Sequence, residues 1–275
     1  MKPSTLVFLA AICSSVPLYA GTTFLNHFDT AAPNGGAGAA DFAVGSTAQQ
    51  APLPFGFGGQ IVSSPAKFGS SLYRTDGNTV GGRVKYSIAN NWDVNKGTIE
   101  MWVYGSGVTG GGFVGLMGSD TASGNADVRM YIYDVGGVRT LGAYQQNGGG
   151  SFWEIEQAIP AALLNDNAWH HVAWSYDTAN AKTATWWDGQ LLRNTPDAGT
   201  VNPRTSMTNT LFHVGENQAG SGTFPGYIDE MRISNSLVYN MNSGFTPPTA
   251  PFAVPEPGSL AVLASVTGLI ARRRR

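Results

Sequence analysis

The chain has 275 residues, of which 12% are charged and 11% are aromatic, and its formal net charge is −2. Its 36 glycines and few charged residues are typical of an exported β protein with many tight turns, and they argue against a helical cytosolic enzyme. Because the one cluster of basic residues stands at the extreme C-terminus, the composition also excludes nucleic acid as a partner of the body of the chain.

The first 20 residues have the pattern of a secretory signal peptide. Lys2 provides a positive start, the apolar run TLVFLAAIC follows, and LYA ends at Ala20, after which we expect cleavage. The single cysteine, Cys13, lies inside this segment. The exported body therefore has no thiol, which excludes both disulfides and cysteine catalysis.

Strand-like runs with a period of two follow from Thr23 to Ser234, separated by Gly, Asn and Asp. The clearest are, in order, TFLNHFD, RVKYSI, GTIEMWVY, VRMYIYDV, WHHVAWSYD, TATWWDGQLL, LFHVG and GYIDEMRIS. The pair Asp188-Gly189 stands between two such runs and predicts a two-residue type I′ hairpin, because both residues tolerate a positive φ. Many short strands without intervening helices predict an all-β, antiparallel two-sheet sandwich in one domain, residues 21–245.

Four of these segments resemble, in content and order, the laminin G-like, concanavalin A-like jelly-roll domains. They are GTIEMWVY, AWHHVAWSYD, WWDGQLL and GYIDEMRISN, and the resemblance spans most of residues 22–240. It implies a jelly roll of two curved antiparallel sheets whose first and last strands are neighbours.

The same resemblance implies a structural calcium ion, which laminin G-like domains often hold. If the terminal strands are neighbours, Asp29 of HFD and Asp229 of YIDEMRI converge as candidate ligands, and Asp41 or a nearby carbonyl completes the shell. Such an ion would stabilise the domain by joining the two ends of the chain. The alternative is that Asp29 caps a turn and Asp229 pairs with a basic neighbour such as Arg232.

Aromatic side chains are the candidate carbohydrate contacts, because sugar rings stack their C–H faces on flat side chains. Trp186 and Trp187 are adjacent on one predicted strand and must point to opposite faces. One therefore belongs to the core, and the other is exposed unless a sheet or a loop covers it. Trp153 and Tyr144, which flank the segment QQNGGGSF, are further candidates. The alternative is that these side chains fill the space between the sheets.

The segment WEIEQAIP raises an enzymatic alternative, since concanavalin A-like folds also include glucanases with paired glutamates on one strand. Glu154 and Glu156 share a strand face and in principle supply a nucleophile and an acid. However, Ile155 stands between them where the glucanase pattern has an aspartate. We therefore interpret the two residues as solvated glutamates on an edge strand.

The C-terminus combines a Pro-rich linker, residues 246–253, with a segment that resembles a PEP-CTERM sorting signal, residues 254–275. The residues that carry the resemblance are the VPEP motif and the arginine cluster, namely Val254, Pro255, Glu256, Pro257, Arg272, Arg273, Arg274 and Arg275. The apolar stretch between them would span about 21 Å as a helix, which is short for a hydrocarbon core of roughly 30 Å. The arginines are expected to stay cytoplasmic. An ordinary single-pass transmembrane anchor is the alternative.

The sorting resemblance implies processing by an exosortase-type enzyme after transient attachment to the inner membrane of a Gram-negative bacterium that makes extracellular polysaccharide. With the signal peptide, it predicts that residues 21–253 work at the cell surface or in the extracellular matrix. The predicted function is non-catalytic binding of extracellular polysaccharide or of an envelope protein. The alternatives are a glycan-active enzyme of the glucanase class and a structural protein-binding matrix module.

Overall fold

The computed structural model describes residues 21–32, 37–49, 59–74, 84–105, 113–119, 127–135, 138–147, 151–159, 166–197, 206–218 and 221–255. The strands in these ranges are β1 (Thr22–Asn26), β2 (Phe42–Ala43), β3 (Gly59–Val62), β4 (Ser71–Arg74), β5 (Val84–Ser87), β6 (Lys96–Gly105), β7 (Val114–Ser119), β8 (Val128–Val135), β9 (Val138–Asn147), β10 (Ser151–Ala158), β11 (His170–Asp177), β12 (Lys182–Trp187), β13 (Gln190–Arg193), β14 (Leu211–Val214), β15 (Glu216–Gln218), β16 (Ser221–Thr223) and β17 (Gly226–Ser234). One 3-10 turn, Thr178–Asn180, is the helical element of these ranges.

The strands form two sheets. Sheet I has nine strands in the order β13-β12-β11-β6-β17-β1-β2, with β4 also paired to β17 and β3 paired to β4. Sheet II has eight strands in the order β10-β9-β8-β7-β14-β5, with β16 paired to β7 and β15 paired to β16. All pairings are antiparallel except the short contact between β16 and β7. The predicted all-β, antiparallel jelly-roll sandwich is thus confirmed.

The core lies between the two sheets and follows from the alternation of each strand. On β6 of sheet I, Ile99, Met101 and Val103 point inward and are fully buried. On β10 of sheet II, Trp153 and Ile155 join the same hydrophobic cluster. The intervening residues of each strand therefore point to the outer faces, where the functional side chains lie.

The two ends of the chain meet in sheet I, where β1 pairs antiparallel with β17. On its other side β17 pairs with β6, and a bulge interrupts the register between Asp229 and Arg232. Glu230, inside the bulge, has a φ of 53°. Because the bulge adds one residue, Asp229 and Arg232 both lie on the outer face, opposite Trp102 and Glu100 of β6.

The hairpin predicted at Asp188-Gly189 is present between β12 and β13. Both residues have positive φ angles, 49° and 73°, and Trp187 lies opposite Gln190. The turn has the left-handed backbone that a two-residue type I′ connection requires.

Residues 236–252 cross the outer face of sheet I, and we call this segment the strap. At its start, the amide of Val238 donates to Thr98 Oγ1 over 3.0 Å. Further along, the indole of Trp186 donates to the carbonyl of Ser243 over 2.9 Å. The strap therefore covers the part of sheet I that would otherwise expose Trp186.

The last part of the strap lies in the predicted Pro-rich linker, residues 246–253. Phe252 is nevertheless buried, with its ring centroid 4.0 Å from the Arg232 guanidinium carbon. The packed structure therefore continues beyond residue 245, where the sequence predicts the end of the domain. Within the described ranges, no helix has the length and apolar character needed to cross a membrane.

Candidate functional site

The aromatic residues predicted to stack on sugars are buried. Trp187 and Trp153 belong to the core between the sheets, and Trp186 lies beneath the strap. Tyr144 is covered by the Arg129 guanidinium, whose carbon lies 5.3 Å from the ring centroid. None of the four rings is open to a ligand, so the assignment of these residues to a sugar site is wrong. The alternative, that they fill packed interiors, is what the structure shows.

A different set of aromatic side chains is partly exposed on the outer face of sheet I. We call Tyr73, Tyr227, Tyr104 and Trp169 the aromatic row. Tyr227 of β17 lies directly opposite Tyr73 of β4 on one side and Tyr104 of β6 on the other. Trp169 immediately precedes β11, whose first residue, His170, pairs with Val103. The aromatic row therefore crosses neighbouring strands at one register level.

The rings of the aromatic row contact one another in sequence. Tyr73 and Tyr227 are stacked with centroids 4.8 Å apart, and Tyr227 meets Tyr104 edge to face at 5.6 Å. Tyr104 and Trp169 are also 5.6 Å apart. Burial, followed by the neighbouring tyrosines Tyr73 and Tyr104, raises the pKa of Tyr227, so this hydroxyl stays protonated at neutral pH. The row is a continuous aromatic surface bearing hydroxyl groups.

Two amide side chains lie beside the row. Gln60 of β3 pairs with Tyr73, at one end of the row, and is exposed. Exposed Asn167 accepts a hydrogen bond from the hydroxyl of Tyr104 at 3.3 Å. Uncharged hydrogen-bonding groups therefore accompany the rings.

Other side chains cover the neighbouring part of the outer face of sheet I, whereas the rings of the aromatic row are left partly exposed. Trp102 lies two residues before Tyr104 on the same face, but the ammonium of Lys67 sits 3.7 Å from its ring centroid. Phe68 contacts the same ring edge to face. The sequence analysis did not single out the residues of the aromatic row. Two of them lie near the ends of motifs quoted there: Tyr104 is the last residue of GTIEMWVY, and Tyr227 is the second residue of GYIDEMRIS.

A second cluster lies on the outer face of sheet II, where Glu154 and Glu156 project from the edge strand β10. The Tyr131 hydroxyl is 2.5 Å from Glu154 Oε1 and 2.6 Å from Glu156 Oε1. Tyr131 reaches them by crossing over Gly142 of β9, at which any Cβ would clash with its ring. Tyr133 donates a further hydrogen bond to Glu156. The predicted edge position is confirmed, but the glutamates are half-buried and held by tyrosines.

The half-buried position of this cluster favours the protonated form of Glu154. Burial raises the pKa of Glu154 to about 7, and the charges of Glu156 and Asp197 act in the same direction. Asp197, held by Arg193, completes a set of three acidic side chains with oxygens within 4.8 Å of one another. An open groove beside them is lined by Tyr133, Val138, Thr140, Glu156, Gln157, Ala158 and Asp197.

Two of the predicted calcium ligands, Asp229 and Asp29, accept hydrogen bonds from backbone amides of one loop between β3 and β4. Asp229 accepts hydrogen bonds from the backbone amides of Lys67 and Phe68, both at 2.9 Å, and Asp29 accepts one from Ser70 at 2.6 Å. Burial raises the pKa of Asp229 to about 8, although these amides act to lower it. The Asp229 carboxyl therefore tends to be protonated at neutral pH, and a bound calcium ion would have to replace that proton.

The third predicted calcium ligand, Asp41, is engaged elsewhere. Its Oδ2 accepts from the His27 amide at 2.7 Å and lies 3.1 Å from His27 Nδ1. Asp29, Asp41 and Asp229 are thus not a compact trio, in contrast to the three acids on sheet II. Asp29 and Asp229 stay candidate ligands, whereas Asp41 serves as the partner of His27.

His27 joins the first strand to the end of the strap. Its Nε2 lies 2.7 Å from the carbonyl of Phe252, and the amide of Phe252 donates to Glu230 Oε2, also at 2.7 Å. Burial acts to lower the pKa of His27, but the bonds to Asp41 and Phe252 and the charge of Glu230 raise it to about 9. The imidazolium therefore donates from both nitrogens at neutral pH.

We expect the free energy of unfolding to decrease as the pH rises toward 9. His27 has a higher pKa in the folded chain than its ordinary 6.5, so its contribution is complete below pH 6.5 and is lost as pH passes 9. The loss should be on the order of 2 kcal/mol. Urea unfolding of the parent and of His27→Gln between pH 6 and pH 10 measures it. An equally steep decrease in the variant would contradict this assignment.

The predicted sorting residues fall mostly outside the described ranges. Val254 and Pro255 are described, and Val254 is 45% exposed just beyond the strap. Glu256, Pro257 and Arg272 to Arg275 lie outside the described residues, as do the predicted signal peptide, residues 1–20, and the apolar stretch between Pro257 and Arg272.

Comparison with known proteins gives a family match over most of the sandwich. Residues 76–238 match the laminin G family model described as the concanavalin A-like lectin/glucanases superfamily. No curated protein sequence matches the chain.

Several solved structures are similar to the chain at low sequence identity. The binding domain of Paraclostridial Mosquitocidal Protein 1 has a TM-score of 0.53 at 12% identity, over 80% of this chain and 50% of that chain. The Ruminococcus gnavus IT-sialidase CBM40 bound to α2,3 sialyllactose has a TM-score of 0.43 at 17% identity, over 57% and 88%. The binding domain of Botulinum neurotoxin DC in complex with rat synaptotagmin II has 0.48 at 13%, over 66% and 43%. The chain thus spans half the length of the mosquitocidal binding domain, and the likeness shows the fold alone.

Proposed function

The chain belongs to the concanavalin A-like lectin/glucanases superfamily, and on this basis we propose that it is a non-catalytic domain that binds carbohydrate on its aromatic row. The observation that carries the proposal is the alignment of Tyr73, Tyr227, Tyr104 and Trp169 across neighbouring strands, all partly exposed. Flat rings stack on the apolar C–H faces of sugars, and each phenol also donates a hydrogen bond. The adjacent amides of Gln60 and Asn167 supply the donors and acceptors that sugar hydroxyls need.

The proposed setting is the outside of the cell. The signal peptide and the PEP-CTERM-like tail support export, transient attachment to the inner membrane and processing by an exosortase-type enzyme. Extracellular polysaccharide is then the ligand that the domain would meet, and an envelope protein is the other partner to consider. The mass of the mature protein tests the processing step, because an intact Arg272 to Arg275 end would contradict it.

Removing one ring of the row should weaken polysaccharide binding. We expect Tyr104→Ala to lower the affinity about tenfold, which corresponds to about 1.4 kcal/mol of lost stacking. Affinity electrophoresis or calorimetry against a panel of bacterial and plant polysaccharides measures this effect. Tyr104→Phe keeps the ring and should bind nearly as well as the parent.

The matched control for this experiment is Tyr133→Ala, which removes a partly exposed tyrosine from the outer face of sheet II. We expect its binding to equal that of the parent. If Tyr104→Ala binds as tightly as the parent, or if only Tyr133→Ala loses affinity, the aromatic row is not the site. If no carbohydrate binds at all, the structural protein-binding module becomes the better interpretation.

One observation favours a second candidate function, glycoside hydrolysis at the acidic cluster of sheet II. Glu154 and Glu156 approach the same Tyr131 hydroxyl beside an open groove, and burial raises the pKa of Glu154 to about 7. Two neighbouring carboxyl groups, one of them with a raised pKa, are the pair that a retaining glycosidase uses. Release of reducing ends from polysaccharide that is abolished in Glu156→Gln would establish this activity. Equal rates for the parent and the variant would exclude it at this cluster.

We also propose that Asp29 and Asp229, together with backbone carbonyls, hold a calcium ion that stabilises the domain. At a calcium concentration a hundred times Kd, the melting temperature should rise by about 5–10 °C. Calorimetric melting with calcium and with excess chelator measures the difference. Asp229→Asn should melt at one temperature in both solutions, and an unchanged parent would count against the site.

A further inference from the structure

We propose that the ligand of the aromatic row is a linear, uncharged glycan that lies across the strands and contacts at least three consecutive sugar residues. This inference rests on the proposed function and names the class of carbohydrate that the same site accepts. Three properties of the aromatic row support the inference: its direction across the strands, its length and its lack of formal charge.

The direction of the row follows from its register. Tyr73, Tyr227 and Tyr104 occupy directly opposed positions on β4, β17 and β6, so the line through them runs perpendicular to the strands. Trp169 extends this line beyond β6 toward β11. A ligand that uses all four rings must therefore be extended in that direction.

The length of the row exceeds that of one sugar. Neighbouring strands are about 4.8 Å apart, so four positions on adjacent strands span about 14 Å. The centroid separations of 4.8, 5.6 and 5.6 Å agree with this spacing. Since one pyranose ring is about as wide as one strand spacing, the row matches several sugars in series.

The shape of the surface fits a polymer rather than a chain end. The four rings follow one another across the face of sheet I. Exposed Gln60 lies opposite Tyr73 at one end of the row, and exposed Asn167 accepts a hydrogen bond from Tyr104, next to Trp169. These described residues form an open face without a buried polar pocket, so a glycan can lie along the whole row.

The charge of the surface excludes ionised sugars as the preferred ligand. Neither the four rings nor the two flanking amides carry a formal charge. Lys67, beside Trp102, is near the row, but it faces the charge of Asp188. Asp166, next to Asn167, is bound to His170 at 3.1 Å. Among the described residues around the row, uronic acids and sulfated sugars would find no uncompensated cation, and amino sugars no uncompensated carboxylate.

Polymers that differ in charge but share a backbone test the inference. Hydroxyethyl cellulose and dextran are uncharged, whereas carboxymethyl cellulose, dextran sulfate and chitosan are charged. The full chain should bind at least one uncharged polymer, with an affinity that changes little with salt. For that polymer, oligosaccharides of increasing length should gain tenfold or more in affinity between one and four sugar units and then level off.

The possible failures are distinct. If Tyr104→Ala weakens binding but the preferred polymer is charged, or a monosaccharide binds as tightly as the tetrasaccharide, the inference is wrong and the proposed function stands. If binding occurs but Tyr104→Ala leaves it unchanged, the proposed site itself is wrong. If the full chain binds none of the uncharged polymers, including the uncharged members of the bacterial and plant polysaccharide panel, the inference is wrong.

Discussion

Replacing Arg232 by alanine is expected to lower the free energy of unfolding by about 3–5 kcal/mol. Glu100 is fully buried on the outer face of β6, and its Oε1 accepts from Arg232 Nε at 2.8 Å and from Nη2 at 2.6 Å. Its Oε2 accepts from the Tyr239 hydroxyl at 2.5 Å and lies 3.1 Å from His171 Nε2. Loss of the guanidinium leaves a buried carboxylate without its positive partner.

The pKa of Glu100 shows how strongly this network favours the ionised form. Burial acts to raise it, but the charge of Arg232 and the bonds from His171 and Tyr239 lower it to about 2. The contribution of Glu100 is therefore present above its ordinary pKa of 4.5 and is lost as the pH falls toward 2. In Arg232→Ala we expect the stability deficit to shrink at acidic pH, where Glu100 becomes protonated.

Urea unfolding of the parent and of Arg232→Ala measures the effect, and Lys96→Ala is the matched control. The Lys96 ammonium lies 3.6 Å from Asp177, but the side chain is 48% exposed, so its removal should cost about 0–1 kcal/mol. The double variant Glu100→Gln with Arg232→Met should be less destabilised than Arg232→Ala, because no charge is then left buried. Equal losses for Arg232→Ala and Lys96→Ala would show that the buried pair contributes little.

Truncation after Asn235 is expected to have a comparable or larger effect, since it removes the strap. Met241 and Phe252 are 7% and 5% exposed, and burial of one such side chain contributes about 1.5–3 kcal/mol. The truncation also uncovers Trp186 and takes the Tyr239 hydroxyl away from Glu100. We expect a loss of about 3–6 kcal/mol, a large part of the 5–15 kcal/mol of an ordinary domain.

Two further truncations make the experiment specific. Truncation after Pro255 keeps the whole strap and should unfold like the parent domain. Truncation after Phe245, the predicted end of the domain, removes Phe252 from the Arg232 guanidinium and should cost about 1.5–3 kcal/mol. If the chains ending at Phe245 and Pro255 unfold at the same urea concentration, residues 246–253 are a linker, as the sequence predicts.

The hairpin and the sandwich could be predicted from local signals. Asp188-Gly189 adopts positive φ angles at little cost, and the alternation in GTIEMWVY fixes which residues of β6 point inward. The pairing of the first and last strands was expected from the family resemblance and is present between β1 and β17. These features depend on neighbours in sequence or on the order of motifs along the chain.

The candidate site could not be predicted in the same way. Trp186 points away from the core as expected from its position beside Trp187, but only the tertiary structure shows the strap above it. Likewise, Tyr73 and Tyr227 are 154 positions apart, and no local pattern states that they face each other. Exposure depends on what a distant segment covers, and register depends on pairings between strands that are far apart in the chain.

The sequence by itself thus determined the class of fold, the hairpin turn and the absence of a thiol from residues 21–275, because backbone preference, strand alternation and composition are local or additive properties. Only the tertiary structure decided which rings are buried, how Asp41 is engaged by His27, and that Tyr73, Tyr227, Tyr104 and Trp169 form one surface. The physical reason is that burial and alignment arise from contacts between remote segments, and a side chain's surroundings are set by those contacts rather than by its own chemistry.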